Sequence, residues 1–137
     1  MVSVLMALVL TGATSETSNR DYDSAYKEAV SGNKPLMVVV GAEWCPACNV
    51  LKNTTINPMV RTGELDQVSV ALVDKDKNPE LVKQLTKGEK MLPQIIVFTP
   101  TKTGWTRRKL MGYQPKQPVR NLVRIATTPK IDAVNIR

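Results

Sequence analysis

Residues 36–48, "LMVVVGAEWCPAC", set an apolar run of five, Leu36 to Val40, just ahead of the only two cysteines in a chain of 137 residues. The run is rich in β-branched side chains and is bounded by Pro35 and Gly41. A short continuous apolar run of this kind predicts a strand buried on both faces, hence a central, parallel one. After Cys45 the residues turn helical through "PACNVLKN". Pro46 is tolerated only in a first turn, where its missing N–H would have been unpaired anyway. Both cysteines therefore fall at the start of a helix that follows a buried strand.

That position carries chemistry. A thiol attacks as its thiolate, and the unpaired N–H groups and macrodipole of a helix start favour an anion there. Cys45, at the cap or first position, is expected to expose its sulfur and act as nucleophile. Cys48, one turn later on the same face, is within reach of a disulfide and is expected to be more sheltered, as the resolving thiol. Cys45 would form a mixed disulfide with a partner, and Cys48 would attack it to release that partner. Two cysteines this close cannot staple a fold, and without a histidine a metal site would need carboxylates or thiolates from a second chain, so no metal is expected. An inert pair of buried thiols is the remaining alternative.

Outward from this segment the chain alternates. Tyr22, Ala25, Tyr26, Ala29 and Val30 recur at helical spacing before Gly32, with both tyrosines expected to pack inward. Beyond the cysteines, Asn57 and Pro58 predict a break and then a brief helix. "QVSVALVD" predicts a strand, and "NPELVKQLTKG" a helix with Asn78 as cap and Pro79 in its first position. "QIIVF" predicts a strand from Gln94 to Phe98, the turn "TKTG" leads into "WTRRKLMGY" as an antiparallel partner, and Trp105 is expected to pack. Val119, Leu122, Val123 and Ala126 share a face of a last helix. Alternation followed by a hairpin implies an α/β fold, a central mixed sheet of about four strands flanked by helices on both faces.

The length suits one domain, expected at 21–126 and followed by a tail at 127–137. The composition, 42% hydrophobic and 23% charged, is globular. Nineteen Lys and Arg outweigh twelve Asp and Glu, but they are scattered apart from Arg107, Arg108 and Lys109, and aromatics for base stacking are few, so nucleic acid is not an expected partner. Residues 1–20 combine an apolar core, Val2 to Leu10, with small residues and a polar linker, "TSETSN". This resembles a secretory signal and predicts an extracytoplasmic, periplasmic or secreted protein, although no basic residue precedes Arg20. The apolar core is short of the roughly 20 residues a membrane helix needs, so no stable span is expected.

"AEWCPACNVLK" resembles the active-site segment of the thioredoxin superfamily, and "LPQIIVF" its second signature. The element order from Asp21 to Ala126 also follows that family, which implies the thioredoxin fold. The resemblance further implies that Pro93 is a cis-proline beside the cysteines and that Leu92 contacts the substrate chain. Within the superfamily, "KPLMVVVGAEWCPACNVLKNTTINPMV" is similar to the carboxy-terminal domain of the electron-transfer protein DsbD and its single-domain relatives. There are two departures. The buried acid that thioredoxins keep six positions before the first cysteine is Val39 here, leaving Glu43 as a possible proton carrier. The residues between the cysteines, Pro46 and Ala47, are neither Gly-Pro nor the Pro-His of the oxidant DsbA. A reductant or electron carrier is expected rather than a strong oxidant.

The expected protein is thus a monomeric thiol:disulfide oxidoreductase that needs no cofactor. Its partners would be disulfide-containing protein substrates and an upstream thiol-disulfide partner. Trp44, and an adaptable apolar patch including Met91, would form the docking surface. Two alternatives are a non-catalytic module docking through Trp44 and Pro93, and a redox-inert domain using the basic cluster on an acidic surface.

Overall fold

Strand β1, Leu36–Gly41, is buried along its length up to Gly41 because its alternate residues face two separate apolar layers. Met37 and Val39 enter one layer; Leu36, Val38 and Val40 enter the other. The computed structural model describes residues 20–128, so the signal-like segment up to Asn19 and the tail beyond Thr128 lie outside the described residues. β1 pairs parallel with β2, Ser69–Asp74, and antiparallel with β3, Gln94–Thr101, which in turn pairs antiparallel with β4, Gly104–Met111. The sheet order is β2-β1-β3-β4, a mixed sheet of four strands with β1 in its interior.

Helices cover both faces. On one face the layer of Met37, Val39, Ile95 and Val97 is closed by α2 (Pro46–Leu51), α3 (Asn57–Arg61) and α5 (Lys116–Thr127), through Leu51, Met59, Val119 and Leu122. On the other, α1 (Tyr22–Gly32) and α4 (Pro79–Thr86) contribute Ala25, Ala29, Val82 and Leu85. Each large side chain fully buried here stabilises the fold by roughly 1.5–3 kcal/mol relative to leaving it in water. Among the described residues no helix is long and apolar enough to cross a membrane.

Four local expectations are corrected. Asn57 and Pro58 do not break the helical path. A π-helical segment, Lys52–Ile56, joins α2 to α3, and the Asn57 N–H reaches back five residues to the Lys52 carbonyl. The widened turn makes room for the proline ring, which would otherwise press on the carbonyl four residues earlier. In α1 the buried positions are Ala25 and Ala29, whereas Tyr26 and Val30 are exposed and Tyr22 is half-buried, stacked on Tyr26. Small side chains let α1 approach the sheet, which leaves the rings at its margin. Trp105 is also exposed, because β4 is an edge strand. Asn78 makes no side-chain cap to α4.

The basic cluster on β4 is divided by strand alternation. Arg107 donates to the Leu85 carbonyl at 2.9 Å and Lys109 pairs with Glu89, while Arg108, between them, points to the opposite face. No single patch of three cations forms.

Ile95→Ala, at a fully buried position of β3, is expected to cost about 2–5 kcal/mol, seen as a lower urea midpoint at unchanged slope. Acid sensitivity follows from three carboxyls held below their ordinary values: Asp21 by the Ser24 backbone N–H, Glu64 by Arg120 and Glu89 by Lys109. Their stabilisation is present above the unfolded-state pKa values of 3.8 and 4.5 and is lost as the pH falls through the lower folded values. The melting temperature should therefore decline below about pH 4, and Glu64→Gln with Glu89→Gln should flatten that decline. An unchanged acid limb would refute the assignment.

Candidate active site

The chain leaves β1 at Gly41 and turns tightly, with the Cys45 N–H donating to the Ala42 carbonyl at 3.2 Å. Asn49 holds this turn from α2, its Nδ2 donating to the Glu43 carbonyl at 3.0 Å. Cys45 is the N-cap of α2 in extended conformation, and its Sγ accepts the Cys48 backbone N–H at 3.2 Å. The sulfur thus takes the place that a Ser or Asp oxygen takes at other helix starts, and it satisfies an N–H that the helix leaves open. Pro46 at the first helical position and Ala47 behind it are both exposed.

Cys45 and Cys48 are joined as a disulfide, with their Cα atoms 5.3 Å apart. The expected contrast in exposure is absent: the two residues are 6% and 7% exposed. In this oxidised form both sulfurs belong to one small apolar cluster with Ala42, and Leu92 packs against it. The Leu92–Pro93 peptide is cis and Pro93 is buried. The antiparallel register, Val40 opposite Gln94, sets this turn beside the end of β1. Gln94, fully buried, braces the turn by donating to the Met91 carbonyl at 2.9 Å, and the Gly112 N–H donates to the Pro93 carbonyl at 2.8 Å.

Trp44 is 65% exposed, and its indole Nε1 donates to Asp76 Oδ2 at 2.7 Å. Met91 is exposed as well, so an apolar surface flanks the cysteine turn and the Leu92–Pro93 turn. Glu43 stands at the surface, its side chain 79% exposed and its carboxylate 2.9 Å from Lys77 Nζ. That hydrogen bond holds the Lys77 ammonium above its usual range. Behind the cysteines, Val39 is buried and apolar. Gly41 lies so close to Cys48 that a Cβ there would stand 3.1 Å from the Cys48 Cβ and 3.3 Å from its Sγ. A crevice of about 210 Å³ opens here, lined by Gly41, Cys48, Asp74 and Lys77 among others.

The structure therefore gathers Cys45, Cys48, Trp44, Leu92 and Pro93 at one end of the sheet and turns Glu43 outward. Sequence reasoning passed over Gly41, Asp74, Asp76, Lys77 and Gln94. The available signal was "DKDKNP", a charged loop between a parallel strand and a proline-led helix. Such loops, at the carboxyl ends of strands in open α/β sheets, line binding sites.

A family model described as thioredoxin-like matches residues 17–100. The thioredoxin of Alicyclobacillus acidocaldarius is 33% identical over 95 residues, spanning 69% of this chain and 84% of that protein. The thioredoxin of Rickettsia prowazekii is 30% identical over 99 residues, 72% of this chain and 88% of that one. Among solved structures, a thioredoxin from Thermus thermophilus aligns with a TM-score of 0.65 at 21% identity, over 77% of this chain and 82% of its own, a likeness of fold. With its cysteine pair capping the helix after β1 and a cis-proline turn packed beside it, this chain belongs to the thioredoxin-like family.

Proposed function

We propose that this thioredoxin-like oxidoreductase exchanges disulfides with protein substrates through its Cys-Pro-Ala-Cys segment, as a reductant or electron carrier. The observation that supports this best is the Cys45 sulfur at the helix N-cap, accepting the Cys48 N–H at 3.2 Å, with Leu92 packed against the pair. Reduction of the pair would leave a thiolate on Cys45 facing the open N–H groups of a helical path that continues to Arg61. Cys45 attacks a substrate disulfide and forms a mixed disulfide. Cys48 then attacks Cys45, and the substrate leaves with two electrons. The exposed Trp44 and Met91 receive the substrate chain, while Leu92 and Pro93 align it beside the sulfurs.

The direction follows from what stabilises the thiolate. The chain has no histidine, so Cys45 relies on the helix start and the Cys48 N–H, which favours a moderate reductant. The likeness of Lys34-Pro35 and Trp-Cys-x-Ala-Cys to the DsbD carboxy-terminal domain favours a carrier supplied by an upstream thiol partner. The signal-like run, Val2 to Leu10, would place that exchange outside the cytoplasm.

Reduction of insulin disulfides should be catalytic for the native chain and abolished by Cys45→Ser, while Cys48→Ser should accumulate a mixed disulfide with the substrate. A chain that binds partners equally well with both cysteines replaced, and never turns over, would instead be a docking module. Equilibration with glutathione, followed by Trp44 fluorescence, should give a potential near that of thioredoxin, about −270 mV. A value near about −120 mV would reverse the proposed direction.

A further inference from the structure

Cys48 must lose a proton before it can attack, yet it is buried, the chain has no histidine, and the side chain behind it is Val39. A base has to reach it from elsewhere. The crevice beside Cys48 is largely apolar, lined by Val39, Leu72 and Pro93 among others, and carries four charged groups: Glu43 from the turn after β1, Lys52 from the π-helical segment, Asp74 at the end of β2 and Lys77 from the loop after it. Asp76 is close by but is occupied by the Trp44 indole. Glu43 sits at the mouth in its ion pair with Lys77 and is largely in solvent. Asp74 is half-buried, whereas Glu43 is exposed.

The register sets Asp74 on the same face of the sheet as Cys48. In the parallel pair β1·β2, Asp74 is directly opposite Gly41, and residues paired in this way direct their side chains to the same face of the sheet. That is the face of Val39 and α2, on which Cys48 packs against Gly41. Because residue 41 is glycine, no β1 side chain separates Asp74 from the sulfur. Asp74 is also fixed in place: its Oδ1 accepts the backbone N–H groups of Asp76 at 2.8 Å and Lys77 at 3.2 Å. Its Oδ2 carries no hydrogen bond from a described residue. The crevice, about 210 Å³, is lined by apolar residues and by the polar side chains of Glu43, Asn49, Lys52, Asp74 and Lys77, and it has room for water hydrogen-bonded to those polar groups.

We propose that Asp74 is the proton relay of the resolving thiol, acting through water in this crevice; the inference rests on the disulfide exchange proposed above. In the mixed disulfide, the Cys48 Sγ–H proton passes through water to the Asp74 carboxylate. The Cys48 thiolate attacks Cys45 Sγ, the Cys45–Cys48 bond forms, and the bond from Cys45 to the partner sulfur breaks. The partner leaves as a thiolate with the electron pair, so Cys48 is oxidised and the partner sulfur reduced. Asp74 then gives its proton to solvent at the crevice mouth. In the reverse direction the acid form of Asp74 returns the proton to Cys48.

The test is Asp74→Asn, which keeps an oxygen for the two backbone N–H groups and removes only the titrating function. The reduced protein is mixed with the chromogenic disulfide 5,5′-dithiobis(2-nitrobenzoate) in a stopped-flow instrument across a range of pH. Attack by Cys45 releases one coloured thiolate, and attack by Cys48 on the resulting mixed disulfide releases the second. The second phase of Asp74→Asn should be slower by about 10²-fold near neutrality, the low end for a positioned acid or base. The deficit should shrink as the pH rises, because the thiolate fraction of a thiol grows with pH and a thiolate needs no relay. The first phase, which needs no proton from Cys48, is the internal reference. A second phase with the native pH profile overturns the relay. Equal slowing of both phases at every pH reduces Asp74 to a turn cap and also overturns it. Loss of the pH dependence in Glu43→Gln, but not in Asp74→Asn, would move the relay to the crevice mouth. Absence of the first phase in the native protein would instead refute the disulfide exchange itself.

Discussion

The double pairing of β1 is the constraint on which the site depends. Parallel on one edge and antiparallel on the other, the strand brings the end of β2 and the beginning of β3 to its own carboxyl end. Gly41 is thereby set against Asp74, and Val40 against Gln94. The cysteine turn, the charged loop after β2 and the Leu92–Pro93 turn all converge there, although more than forty residues separate the first from the last. A strand buried on both faces is well suited to this role, since a slip of one residue would exchange the side chains of its two layers.

Around that end of the sheet, apolar and polar groups divide the work. The disulfide, Ala42 and Leu92 form a small apolar cluster, which keeps the sulfurs from bulk water. Polar contacts tie down the surface beside it: the indole of Trp44 is anchored on Asp76, the turn of Glu43 on Asn49, and the turn of Met91 on Gln94. Each of these contacts fixes backbone or a large ring, so the surface beside the sulfurs is held in one arrangement. The exposed pair Glu43–Lys77 contributes little to stability by comparison, because water and salt screen it.

Much of this was legible in the chain itself. The apolar run from Leu36 to Val40, Pro46 after Cys45 and the alternation of helix and strand patterns are local signals, and local signals determined a buried strand, a helix-capping cysteine pair and an α/β order. The resemblance of "LPQIIVF" to a family signature identified Pro93 as a cis-proline. Local signals failed where packing decided the outcome. Tyr26 and Val30 carry the right helical spacing but lie outside the core, because the small Ala25 and Ala29 sit nearer the sheet. Pro58 reads as a helix breaker, yet a π-helical turn accommodates it.

What the sequence determined by itself, then, is the kind of chemistry: two thiols one helical turn apart at a helix start, in a chain without histidine. Only the tertiary structure decided which groups surround those thiols. Glu43 is one residue from Trp44 in the chain but turns outward to Lys77, whereas Asp74, far away in sequence, enters the crevice beside Cys48. The reason is physical. Strand pairing selects neighbours by register across the sheet, and no periodicity along a single segment encodes the partner that register supplies.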